Sequence, residues 1–313
     1  MGSGGEKGVR IGLSAVVMAL RDRQAVVLTT QDADGAAALP FGPFAPDRDR
    51  TFELALRAFV TAQTGFRLGF VEQLYTFGDA GRESPRATPG PEKARDVSVG
   101  YLALTADAAD APAADARWSP VLDFFPWEDW RNGRPAVAAP LAEALTHWAG
   151  GDASRRGRVD ALFALPAGVR WNEGRVLERY ELLYEAGLVA EAARDRGLPA
   201  PAVAAGRPMA SDHRRILATG LGRLRNKLKY RPVLFDLMPE TFTLSGLQTA
   251  AEAVAGIALH KQNFRRGVER TGLVVATGQL SAATGGRPAE LFRVTGADPS
   301  DGQAPGLPLP VLR

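Results

Sequence analysis

The sequence predicts an α+β fold in two ordered parts, and three observations carry that prediction. β-branched runs flank a single helical segment between residues 9 and 105, the order of a layered strand–helix–strand domain. Residues 235–294 read helix, turn, basic helix, two-stranded hairpin. A chain of 313 residues with 45% hydrophobic content is long enough for two domains with cores of their own.

The elements follow in order. Residues 9–20 ("VRIGLSAVVMAL") and 24–31 ("QAVVLTTQ") are β-branched runs around the charged turn "RDR", a hairpin pattern. Pro/Gly punctuation in "LPFGPFAPDRDR" precedes residues 51–63, where Phe52, Leu56, Phe59 and Val60 recur at helical spacing, and Gly65 closes that helix. Two more strands, "FVEQLYTFG" and "VSVGYLALT", flank a polar loop. After a low-complexity loop, the aromatic run "WSPVLDFFPWEDWRNGRP" is expected to pack against the first domain. Residues 141–149 and 173–196 read as helices, the second amphipathic through Val176, Tyr180, Leu183, Tyr184 and Leu188. "GLPAPAVAAGRPMA" reads as a linker. Residues 213–229 form a basic helix with Ile216, Leu217, Leu221, Leu224 and Leu228 on one face, suited to joining two domains or two subunits.

Composition excludes several classes. The chain has no cysteine, so disulfide frameworks and thiolate metal sites are out. Three scattered histidines (His147, His213, His260) show no ligand spacing, and no metal is expected. No run approaches the roughly 18 apolar residues of a membrane span. "MGSGGEKGVR" lacks the apolar core of a signal peptide, so a soluble cytoplasmic protein is expected. Charge is uneven. Residues 207–294 hold fourteen Lys/Arg against six Asp/Glu, a net +8, which leaves −5 on the rest of a chain whose total is +3. A basic end on an acidic chain suits a polyanion or, more plainly, a solvated helix.

In the C-terminal block, Thr243 is placed to cap "LSGLQTAAEAVAG", which Gly256 ends, and "HKQNFRRGVERTG" ends at Gly272. "LVVATGQ" and "AELFRV" are strands around "AATGGRP". That order is a winged helix-turn-helix. Its second helix sets Lys261, Gln262, Asn263, Arg265, Arg266 and Arg270 around one apolar anchor, Phe264. Gln and Asn pair bidentately with adenine, and Arg and Lys with guanine or phosphate, so this helix suits a major groove. Arg287 at the hairpin tip suits the minor groove or the backbone. The alternative is a surface helix with a packing hairpin.

"RAFVTAQTGF" at residues 57–66 has the frame of a catalytic helix without its acids. Hydrolases of the Nudix superfamily use G-x5-E-x7-R-E-U-x-E-E-x-G-U, whose glutamates hold Mg²⁺ on a pyrophosphate. This chain resembles that frame in "LPFGPF" and Thr64-Gly65-Phe66. The first Glu position is Arg50, however, the Arg-Glu pair is Ala58-Phe59, and the Glu-Glu pair is Ala62-Gln63. Glu53 alone remains nearby, too few carboxylates for a metal site.

An emptied Nudix domain joined to a winged helix resembles the Nudix-related transcriptional regulators of NAD metabolism, the NrtR type. The resemblance rests on "EQLYTFGDAGR", "VSVGYLALT", "LFDLMPETFTLSGLQTAAEAVAG", "KQNFRRGVERTGLV" and "GGRPAELFRV". It covers residues 9–105 and 213–294, while the segment from about 124 to 209 exceeds the connection expected. It implies a Nudix-like α/β/α sandwich at 1–123, a mostly helical insertion and linker at 124–210, a winged helix-turn-helix at 211–296 and a flexible tail at 297–313. It further implies a dimeric, non-catalytic repressor of NAD metabolism genes that binds double-stranded operator DNA. No cofactor is expected, and the effector is ADP-ribose or a related NAD metabolite. With the metal site lost, a pyrophosphate needs cations, for which Arg50, Arg57 and Arg82 are candidates, Arg82 foremost. An adenine needs an aromatic face, Tyr75 or Phe77, unless these are strand core. The competing reading is a divergent pyrophosphohydrolase that uses carboxylates such as Glu53, Glu72 and Asp79.

Overall fold

The computed structural model describes residues 8–32, 34–80, 82, 95–106, 108, 113, 115–165, 168–281 and 288–295. The tail expected to be flexible lies outside them.

The chain opens with β1 (Val9–Arg21) and β2 (Gln24–Gln31), antiparallel and closed by the pair Arg21↔Gln24. Asp22 and Arg23 both take positive φ, 50° and 64°, the two-residue turn whose twist matches that of paired strands. Short strands β3 (Ala37–Ala38) and β4 (Phe41–Pro43) lead to helix α1 (Phe52–Thr64). Thr51 caps α1 by accepting the Leu54 N–H at 3.2 Å, and Gly65 ends it at φ 74°. β5 (Val71–Phe77) pairs antiparallel with β6 (Arg95–Leu104), and β6 runs parallel to β1 from Val9↔Arg95 to Met18↔Leu104. The sheet order is β3-β2-β1-β6-β5; β4 adds to β1, and β7 (Arg117–Pro120) adds to β2.

Because β1 is central, it is buried on both faces, which explains its continuous apolar run. Leu13, Ala15 and Val17 face α1 with Leu56 and Val60, whereas Val16 and Met18 face the remainder of the chain. The expected α/β/α layering is thus present, with α7 (His213–Leu228) as the second helical layer.

The insertion departs from expectation at three points. Residues 173–196 form two helices, α5 (Val176–Glu185) and α6 (Ala190–Arg196), not one, because Gly187 takes φ 73° between them. After short α2 (Val121–Phe124) and α3 (Ala138–Ala149) comes α4 (Ala153–Phe163), a helix without a clear apolar stripe in the sequence. Only Val159, Leu162 and Phe163 anchor α4, and Asp152 caps it by accepting the Ser154 and Arg155 N–H groups. The stretch read as a linker is packed: Ala205, Met209 and Ala210 are buried, and Ala210 N–H donates to the Ala37 carbonyl at 2.8 Å.

The C-terminal unit consists of α8 (Leu244–Ala255), α9 (Lys261–Thr271) and the hairpin β8 (Val274–Leu280)–β9 (Glu290–Val294). One hydrophobic cluster runs from Val16 and Met18 through the aromatic segment (Phe124, Phe125, Trp127) and α7 to Leu247, Val254 and Phe264. The core therefore does not divide at residue 123 or at 210. α7 joins the parts of one chain through both of its faces.

Candidate functional site

The C-terminal unit is built around two capped helices. Thr243 Oγ1 accepts the Gly246 N–H at 2.9 Å and starts α8, and Gly256, at φ 70°, ends it. The turn that follows is fixed by Glu252, whose Oε1 accepts the Leu259 N–H at 2.9 Å and the Gln248 amide at 3.0 Å. Ile257 and Leu259 fill the angle between the helices. α9 buries Phe264 and Val268, which leaves Lys261, Gln262, Asn263, Arg266 and Arg270 exposed and Arg265 half-buried. Arg265 Nη2 donates to Ser245 Oγ at 2.8 Å, which binds the face of α9 to α8. Reciprocal backbone bonds between Phe242 and Phe292, 2.9 and 2.7 Å, seat the hairpin on the unit. Arg287 lies outside the described residues.

The charge of this end needs correction. Six of its fourteen cations are spent on carboxylates within the chain. Arg214 pairs with Glu191, Arg215 with Asp79, Glu181 and Asp212, Arg223 and Lys227 with Glu72, Arg225 with Glu128, and Lys229 with Glu173. Helix 213–229 is accordingly a buried strut, not a solvated basic face. Among the described residues, no carboxylate stands within ion-pair range of the four cations of α9. Of the eight other cations, four lie on α9, where the unsatisfied N–H groups of its first turn add to their charge.

In the N-terminal domain the emptied helix is filled. Phe59, at the Glu of the motif's Arg-Glu pair, lays its ring on Gly42, where an added Cβ would stand 2.8 Å from the ring. Gln63, at the second Glu of the Glu-Glu pair, clasps the "LPFG" loop. Its amide donates to the Phe41 carbonyl at 2.7 Å and accepts the Phe41 N–H at 3.3 Å. Arg57 is tied to Glu53 at 2.8 Å, to the Gly69 carbonyl at 2.9 Å and to the Leu68 carbonyl. The carboxylates nominated for a divergent hydrolase are not brought together. Glu53 sits on α1, while Glu72 and Asp79 pair with cations of α7 on the opposite side of the sheet.

The nominated effector contacts also separate. Arg50 is exposed just before α1, and Arg57 lies on the α1 side. Arg82 belongs to the other side: its side chain is 9% exposed, bonded to Glu181 at 2.7 Å and Asp212 at 3.1 Å, and stacked 3.8 Å over the Tyr184 ring. Burial and the Asp195 hydrogen bond push the Tyr184 hydroxyl up to about 12, so the ring stays neutral beneath the guanidinium. Arg82 is therefore committed to the junction of β5 with α5 and α7. Phe77, 1% exposed, is strand core, where it fills the space beside Gly100 and Ile216. Tyr75 is 60% exposed and touches Phe77 edge-on at 5.5 Å.

Several residues escaped the sequence reading: the buried charges Glu128, Arg179, Glu191, Arg214 and Arg225. Two of them had a legible signal. Glu128 sits in "FFPWEDW", an acid inside an aromatic run, and Arg225 falls four residues after Leu221 and three before Leu228, on the apolar stripe of its helix.

Residues 234–294 match the family model described as the NrtR DNA-binding winged helix domain. Over 85 residues the chain is 41% identical to the ADPR responsive transcriptional repressor NtrR of Acinetobacter baylyi, a match that spans 27% of this chain and 34% of that protein. The crystal structure of Shewanella oneidensis NrtR complexed with a 27mer DNA superposes with a TM-score of 0.55 at 20% identity, covering 95% of this chain and 97% of that one. A MutT/nudix family protein from Enterococcus faecalis gives a TM-score of 0.53 at 13% identity, over 94% and 90%. Residues 234–294 thus match the NrtR DNA-binding winged helix domain, on a chain whose fold along nearly its whole length is that of the Shewanella oneidensis structure.

Proposed function

We propose that the chain is an NrtR-type transcriptional repressor, responsive to ADP-ribose or a related NAD metabolite, that acts on genes of NAD metabolism. The observation that carries the reading is α9: Gln262, Asn263, Arg266 and Arg270 are exposed on the face opposite Phe264 and Val268, with Lys261 and Arg265 at its edge and no carboxylate partner for any of the four cations among the described residues, within the segment matched to a DNA-binding winged helix. Gln262 and Asn263 then meet base edges, and Lys261, Arg265, Arg266, Arg270 and Arg287 meet guanine or phosphate.

The N-terminal domain senses without hydrolysing. Phe59 and Gln63 hold the places of two metal-binding glutamates, and both are engaged with the loop that a pyrophosphate would approach. Arg50 and Tyr75 are the exposed effector contacts, Arg57 is available only by release from Glu53 and the Leu68 and Gly69 carbonyls, and Arg82 acts through the junction it braces. The repressor works as a homodimer in the cytoplasm and needs no cofactor.

Fluorescence anisotropy tests this directly. Operator duplexes selected from a random pool should bind more tightly than scrambled ones, and ADP-ribose should change that affinity. Equal binding to both pools, or indifference to every NAD metabolite tried, would overturn the reading. Arg50→Ala should weaken the ADP-ribose response and leave operator affinity in its absence unchanged.

A further inference from the structure

Three fully buried charges meet where the sheet-bearing part of the chain touches the C-terminal unit. Glu128 lies in the turn Pro126–Glu128, Arg179 on α5 and Arg225 on α7, each side chain 0% exposed. Arg179 Nε and Nη2 donate to the two Glu128 oxygens at 2.5 and 2.9 Å, and Arg225 Nη1 donates to Oε2 at 2.5 Å. Arg225 Nη1 also reaches the Glu173 carbonyl at 3.1 Å. Its Nε turns the other way and donates to the Val254 carbonyl, 2.9 Å distant, in the last turn of α8. One guanidinium thus spans from the Glu128 carboxylate to the helix-turn-helix.

The backbone closes around this contact. Trp130 N–H donates to the Gly256 carbonyl at 2.7 Å, and Trp130 bridges Ile257 in parallel. A Cβ at position 256 would stand 2.5 Å from Arg225 Nη2 and collide with the Glu128 carbonyl. Only glycine lets the chain turn here at this distance.

A buried ion triad adds little net stability, because desolvation offsets the attraction, but it is exacting about position. Apolar side chains between α7 and α8 tolerate sliding. A forked guanidinium does not, since a shift of one bond length strands a charge in a dry site. At its other end α7 is anchored by Arg215 and Asp212, which meet Asp79, Arg82 and Glu181. From Arg215 to Arg225 the helix rises about 15 Å, at roughly 1.5 Å per residue.

We propose that Arg225, oriented by Glu128, is the positioning residue for the recognition helix: it fixes α8, and with it α9, in one orientation on the rest of the molecule. The consequence for DNA rests on the regulator reading above, whereas the docking itself is tested in the free protein. The test uses the full chain carrying Arg225→Met, which leaves the Glu128–Arg179 pair balanced, and Arg225→Lys, which keeps the charge without the fork. Hydrogen exchange read by mass spectrometry should accelerate about tenfold or more in α8 and α9 of Arg225→Met, while β1 and β6 keep their rates. Arg225→Lys should show the same pattern to a smaller degree, and it preserves the test if Arg225→Met does not fold. Affinity for a duplex with two half-sites should fall about tenfold or more, with affinity for a single half-site retained, because α9 itself is intact. Equal acceleration in β1, β6, α8 and α9, or none anywhere, would overturn the positioning role, as would equal losses on both duplexes. If the parent chain bound no DNA at all, the regulator reading would fail, and the exchange pattern would still decide the docking.

Discussion

Asn263 and Arg266 are both exposed on α9, yet their side chains ask for different chemistry. An amide that donates and accepts in one plane reads an adenine edge, whereas a guanidinium neutralises phosphate on any sequence. Asn263→Ala should therefore cost about 1–3 kcal/mol on the operator and little on random DNA. Arg266→Ala should weaken both alike and reduce the slope of log affinity against log salt by about one unit. Anisotropy titrations at several salt concentrations check both, and equal losses for the two variants on both duplexes would reverse the assignment. A second residue-scale expectation concerns His213, whose Nδ1 accepts the Leu39 N–H at 3.2 Å in a fully buried site. Burial pushes its pKa down from 6.5 to about 3. As pH falls through that window the unfolded chain takes up a proton that the folded chain refuses, so stability is lost at about 1.4 kcal/mol per pH unit. Asp212 beside it works in the opposite sense. Burial pushes it from 3.8 up to about 6, so between those values the folded form binds the proton first and gains stability on acidification. The two offset each other in the parent chain. Urea denaturation of His213→Gln should show stability that rises, relative to the parent, as pH drops from 6 to 4.

At the scale of elements, α8 depends on a glycine that no other residue replaces. Gly256 combines a left-handed φ of 70° with contact against the Glu128 carbonyl and the Arg225 guanidinium. Gly256→Ala should lose more than the roughly 1 kcal/mol of a left-handed alanine, because the junction must open to admit the methyl group. Chemical denaturation measures this, and a loss below that figure would mean the contact relaxes freely. The same substitution at Gly272, also left-handed but with nothing near its Cβ, isolates the backbone cost alone. α1 gives the complementary case. Its caps, Thr51 and Gly65, are those of an ordinary helix, and what has changed is its exposed face. Phe59 and Gln63 make that face a clasp on the "LPFG" loop.

For the whole molecule, the engaged positions in α1 predict an absence of turnover. With Mg²⁺ or Mn²⁺, hydrolysis of ADP-ribose or NAD should stay well below about 1 s⁻¹, the low end for ordinary enzymes. A rate at or above that value, in protein free of contaminating hydrolase, would restore the enzyme reading. A repressor that reads two half-sites roughly 34–36 Å apart needs two recognition helices, hence a two-fold pair of chains. Light scattering at micromolar concentration with operator present should give two chains per duplex, and a single chain would contradict it. Within one chain, the continuity of the core from the sheet through α7 to α8 makes the recognition helix part of one packed body. Reorienting it requires the contacts of α7 to change.

Local order was legible without coordinates. β-branched and apolar runs marked β1, β2, β5 and β6, helical spacing of apolar residues marked α1 and α7, and Thr or Gly caps marked α8 and α9, because these are short-range consequences of backbone geometry and burial. The missing glutamates of α1 and the amide-and-cation face of α9 were equally plain, since residue identity at a fixed spacing needs no partner to be recognised. What the sequence could not supply was which distant charges meet. The net +8 of residues 207–294 read as a surface property, but Arg214, Arg215, Arg223, Arg225, Lys227 and Lys229 find carboxylates that lie 3 to 155 positions away. Arg82 read as a free loop cation and became a brace for the same reason, and Phe77 was assigned to the core only once α7 covered its face of the sheet. Ion pairs and the choice of buried face depend on how layers pack across the fold. Periodicity along the chain determines the elements, and only the tertiary structure decides which of their charges remain available to a partner.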